Sequence, residues 1–104
     1  MKIYNLENKN QFVILGNNGE IEFQSYNSLI ARIEKNGNLS LSNHWNYSRT
    51  TLKHLYIFLD RYFYNIDEFI QKELKSILYG KCGNKRASIQ KLIDDEKIFI
   101  SLKY

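Results

Sequence analysis

A chain of 104 residues with 43% hydrophobic and 25% charged side chains carries enough apolar material for one core and too much for wholesale disorder. No run approaches the ~18 apolar residues of a membrane helix, the start Met1-Lys2-Ile3-Tyr4-Asn5 lacks the apolar stretch of a secretion signal, and the lone Cys82 has no internal disulfide partner. These features predict a single α+β domain over 1–104, in the cytosol, with no membrane contact. The net charge of +4 is uneven: residues 1–47 balance, and within 72–91 six basic side chains, Lys72, Lys75, Lys81, Lys85, Arg86 and Lys91, face Glu73 alone. An anionic partner would be steered there.

Residues 1–47 read as strands. Gln11 to Leu15 and Glu20 to Gln24 flank Asn17-Asn18-Gly19, and the second run alternates, which predicts a hairpin. A second pair, Ser28 to Lys35 and Asn38 to Ser42, is joined by Asn36-Gly37, a pairing suited to a type I′ turn. Leu29, Ala31 and Ile33 are expected to face inward with Leu39 and Leu41. The result is an antiparallel meander of four to five strands, with Lys2 to Leu6 as the added edge.

Residues 48–96 read as helices. Ser48 caps a helix over about 49–63 with Leu52, Leu55, Tyr56, Leu59 and Phe63 on one stripe. Asn65 and Glu68 resemble a capping box for a second helix, with Ile66, Phe69, Ile70, Leu74, Ile77 and Leu78 as its stripe and Gly80 as its C-terminal cap. Gly83-Asn84 turns into a third helix over about 85–95, and Ile98 to Leu102 predict a last strand within 97–102. The helices are expected to cover one face of the sheet.

Candidate chemistry is sparse. His44, His54 and Cys82 match no zinc spacing, and a Cys-His pair requires contact that spacing does not promise. Asp94-Asp95-Glu96 reads as a solvated acidic tip. No phosphate loop or nucleophile elbow is present, so the expectation is a protein without enzymatic activity, cofactor or metal.

Two features point to binding. The helix around 85–93 places Lys85, Arg86, Ser88 and Gln90 in its early turns, the arrangement of a helix that presents polar side chains to a groove, with Lys81, Lys85, Arg86 and Lys91 as phosphate contacts. The competing reading, favoured by the modest net charge, is a solvated face. Trp45 and Tyr47 either staple the helix start to the sheet or form an exposed aromatic platform beside Arg49 and Lys53; the staple is the favoured reading.

The segments Gln24 to Ile33 and Trp45 to His54, with Asn84-Lys85-Arg86 and Ile89 to Ile93, resemble a family of small phage and mobile-element proteins of low-GC bacteria. That resemblance implies a phage-type inhibitor that binds a host defence protein, with anti-CRISPR proteins, which block a CRISPR effector, as a prominent class. Trp45, Tyr47, Arg49, Lys53, Lys85 and Arg86 are then the candidate contacts. The alternative is a small basic nucleic-acid-binding protein or regulator that uses the helix around 85–93.

Overall fold

A computed structural model describes residues 1–80 and 83–102. Five strands form the expected antiparallel meander: β1 (Lys2–Leu6), β2 (Asn8–Leu15), β3 (Ile21–Ser25), β4 (Ser28–Ile33) and β5 (Leu39–Ser42). Then come α1 (Arg49–Arg61), a 3₁₀ turn at Phe63–Asn65, α2 (Glu68–Leu78), α3 (Lys85–Asp94) and β6 (Phe99–Leu102). The spatial order follows the chain, but β6 lies parallel to β5, with Ser40 opposite Phe99. That departs from a purely antiparallel sheet. Parallel neighbours require a long crossover, and the helical segment supplies it.

One face of the sheet is covered by helices. Val13, Phe23, Ala31 and Leu41 align as cross-strand neighbours, and all four are buried. On α1 the buried residues are Thr51, His54, Leu55, Phe58 and Leu59, one stripe at i, i+3, i+4, i+7 and i+8. Phe58 stacks on Phe23, with ring centres 5.5 Å apart. Burying such a ring contributes roughly 1.5–3 kcal/mol. The expected stripe of Leu52, Leu55, Tyr56, Leu59 and Phe63 is turned by one position, because Leu52 and Tyr56 are only half-buried. The opposite sheet face is held at its centre by Arg32 Nε, which donates to Glu22 Oε2 at 2.7 Å.

Several local expectations are corrected. The register shifts between Phe23 and Gln24, so Ile30 is the extra residue of a bulge; Ile30 is buried and Leu29 is half-buried. A bulge of this kind flips the side-chain alternation beyond it. The Asn36-Gly37 connection is not a type I′ turn: only Gly37 has positive φ, at 94°, and its N–H donates to Glu34 O at 2.9 Å. Type I′ needs two such residues. Gly37 has a second reason to be glycine, because a Cβ there would lie 2.7 Å from the Asp67 nitrogen, whose N–H donates to Gly37 O. That contact ties the meander to α2.

Asp67, not Asn65, caps α2, accepting from the Phe69 N–H. Asn65 instead lies in the 3₁₀ turn. Phe69, assigned to the inward stripe, is 78% exposed. Tyr79 rather than Gly80 closes α2, and Gly80 has no left-handed φ. Asn84 caps α3 through the Ala87 N–H, and Ile89 and Leu92 pack inward.

Candidate functional site

The solvent side of α1 carries two of the basic residues that the sequence singles out, Arg49 and Lys53. Arg49 and Lys53 are exposed and one turn apart, so their Cβ atoms lie about 5–6 Å from one another. Tyr56 continues that line at i+3 from Lys53, and the Lys85 ammonium sits 5.4 Å from the centre of its ring. Tyr47, 80% exposed, stands just before the helix and stacks on His44 at 6.1 Å. Arg49, Lys53 and Tyr56, with the Lys85 ammonium over the Tyr56 ring, thus make one cationic face, and Arg86 is exposed. No residue of the first turn of α1 is acidic.

Other candidates fall elsewhere. Trp45 is 3% exposed and belongs to the core. As a surface contact it is corrected, while as an anchor for the start of α1 it fits the staple reading. Lys91 lies in the groove between α2 and α3 with Glu73, Asp95 and Lys97, where Lys97 Nζ pairs with Glu73 at 2.9 Å. That contact raises the Lys97 pKa through the Glu73 hydrogen bond and charge. Lys81 and Cys82 lie outside the described residues. On α3, Ser88 Oγ donates to Asn84 O and Gln90 Nε2 donates to Asp94 Oδ1, each at 3.0 Å.

Where the cationic face meets the N-terminus of α1, the structure opens a pocket of about 310 Å³ that the sequence did not indicate. Ser25, Ser28 and Thr51 supply hydroxyls, Ile30 supplies an apolar wall, and Tyr26 and Tyr47 form part of its lining beside His44. Tyr26 projects because it occupies a tight β3–β4 turn at φ 55°, and it is 57% exposed. Ser25 is buried, yet its Oγ has no hydrogen-bond partner. Its cross-strand neighbour Gln11 is fully buried with both carboxamide atoms unpartnered.

Those three atoms contrast with the polar groups nearby. His54 is buried, and its Nδ1 lies 2.8 Å from Thr50 O and its Nε2 3.3 Å from Asn8 Nδ2. A neutral ring protonated on Nδ1 satisfies both contacts. Ser48 Oγ accepts from the Thr51 N–H and donates to Thr51 Oγ1, each at 3.1 Å. The Leu52 N–H makes the first intrahelical bond, to Ser48 O, so the amides of Arg49 and Thr50 have no carbonyl one turn back.

The family model described as "Family of unknown function (DUF8033)" matches residues 1–77, and the chain belongs to that family. The matched region includes the whole pocket, Arg49 and Lys53, and stops short of α3. No curated protein and no solved structure matches the chain.

Proposed function

We propose that this DUF8033 member is a non-enzymatic protein that binds single-stranded nucleic acid along the outer face of α1. The observation that carries the reading is the alignment of Arg49, Lys53 and Lys85 with the Tyr56 ring on one surface, with Tyr47 exposed just before the helix. Ammonium and guanidinium groups neutralise backbone phosphates, and the exposed Tyr47 ring offers a stacking platform that tolerates any base. A net charge of +4 is modest, but its distribution matters more than its sum.

The test is the salt dependence of binding to a fluorescent single-stranded oligonucleotide. Affinity is expected to fall as salt rises, and Arg49→Glu with Lys53→Glu to weaken it at least tenfold. The log-log salt slope should flatten by roughly 0.7 for each phosphate that is no longer neutralised. Lys91→Glu, away from the face, serves as the control. Binding that ignores both salt and the paired reversal rules the reading out.

Tyr47 beside Arg49 also supplies the residue types that dominate protein interfaces. This supports a second reading, which follows the resemblance to phage proteins: an inhibitor in the host cytosol that occupies a defence protein, such as a CRISPR effector with its guide RNA, through the same face. Its measurement is nuclease interference by the wild-type chain and by Tyr47→Ala. An uninhibited nuclease from a matching host counts against it.

A further inference from the structure

The pocket at the start of α1 differs from the cationic face in that one residue of its wall, Ser25, and that residue's cross-strand neighbour Gln11 carry buried polar atoms with nothing to bond. A hydroxyl or carboxamide removed from water is ordinarily partnered, and Ser25 Oγ and both polar atoms of the Gln11 side chain are not. Ser25 lines the pocket, and its unpartnered Oγ lies just beneath the pocket wall. The first turn of a 13-residue helix reaches the same place through Thr51, bringing the positive end of the helix dipole.

The chemistry of the walls selects the ligand. No carboxylate lines the pocket, and the first turn of α1 has no acid. Hydroxyls and the positive end of the helix dipole together suit an anion of several oxygens. Tyr26 and Tyr47, both largely exposed beside the pocket, suit a planar ring. At about 310 Å³ the space is at the small end of ligand sites, sufficient for a phosphate and its sugar while the base rests against a tyrosine.

We infer that this pocket binds the phosphate of a nucleotide unit, with the hydroxyls of Ser25, Ser28 and Thr51 as donors and Tyr26 and Tyr47 as stacking walls. The inference rests on the nucleic-acid reading and sharpens it: a strand whose backbone follows Arg49 and Lys53 enters the pocket with its phosphorylated end. The same chemistry is offered by a free nucleoside monophosphate, so both sources are tested.

Three single-stranded oligonucleotides of one sequence, carrying a 5′-phosphate, a 3′-phosphate or hydroxyls at both ends, are compared by fluorescence anisotropy. One phosphorylated end is expected to bind about tenfold tighter than the hydroxyl-ended strand. Ser25→Ala and Tyr47→Ala are each expected to erase that preference. Ser25→Ala removes a hydroxyl that has no partner, so the fold is retained and the loss reads on the ligand.

Equal binding of the three strands overturns the pocket inference, and if Arg49→Glu with Lys53→Glu still abolishes that binding, the face reading stands. A preference that survives Ser25→Ala also overturns it. Should no strand bind, titration with a nucleoside monophosphate decides. Amide NMR shifts confined to Ser25, Tyr47 and Arg49 to Thr51 support the pocket with free nucleotide as its ligand, whereas unmoved amides reject the pocket and the face together.

Discussion

The two ends of α1 rest on the same sheet and meet opposite conditions. Toward its C-terminus, Leu55, Phe58 and Leu59 pack on the row containing Phe23, Phe63 and Tyr79 meet edge to face, and Tyr79 donates its hydroxyl proton to Asp60. At the N-terminus the same inward stripe carries Thr51 and His54, and the strands beneath contribute Gln11 and Ser25. Both ends are buried. One end gains stability from burial, and the other gives some up by sealing polar atoms away from water without partners. A sequence that folds well in most places departs from local consistency where it has another task, and here the departure lies beside a pocket at the start of α1.

The largest effect is expected at the apolar end. Phe58→Ala deletes a fully buried ring stacked on Phe23 and should lower unfolding stability by about 3–5 kcal/mol, measured by urea denaturation. A loss below about 1 kcal/mol would mean that this end is loosely packed, and the contrast would weaken.

A smaller change of opposite sign is expected at the polar end. Gln11→Met keeps the side-chain length and removes two buried atoms that lack partners, so stability should rise by roughly 1–2 kcal/mol. Ser25→Ala should also raise it, by less. A fall on either substitution would reveal that an ordered water already satisfies these groups, and the case for a waiting ligand would lose its support.

The same contrast explains what the sequence disclosed. The meander was legible because strand alternation and the Asn-Gly and Asn-Asn-Gly connections have local causes, and the three helices were legible from their apolar spacing and from the caps at Ser48 and Asn84. The phase of α1 was not. Placing Thr51 and His54 inward contradicts their polarity, so the all-apolar stripe through Leu52 and Tyr56 was the natural choice, and it is turned by one position. Phe58 was missed for that reason. Gln11 and Ser25 were missed similarly, since a polar residue at an inward strand position is visible only once the register is known. The bulge at Ile30 and the parallel pairing of β6 depend on contacts between distant segments, which leave no local mark. Basic residues were legible as types, but their grouping was not: α3 drew attention by its charge density, while the face forms on α1 and borrows Lys85 from α3 through Tyr56.

The smallest effect is expected in the last turn of α1, at Asp60. The hydrogen bond from Tyr79 to that carboxylate, aided by partial burial, raises the Tyr79 phenol to about 12 from an ordinary 10. Folding therefore favours the protonated phenol, so the contribution is fully present below pH 10 and is lost as pH rises through about 12. Asp60→Asn removes the charge that holds the proton and should return Tyr79 toward 10. Tyr62, raised chiefly by burial, should keep most of its shift. Tyrosine ring NMR signals followed from pH 8 to pH 12.5 separate the two. Because Tyr79 is 55% exposed, solvent screens the pair, and melting at neutral pH should hardly change. If Asp60→Asn left the Tyr79 titration where it was, the bond would not persist in solution, and the satisfied end of α1 would owe its order to ring packing alone.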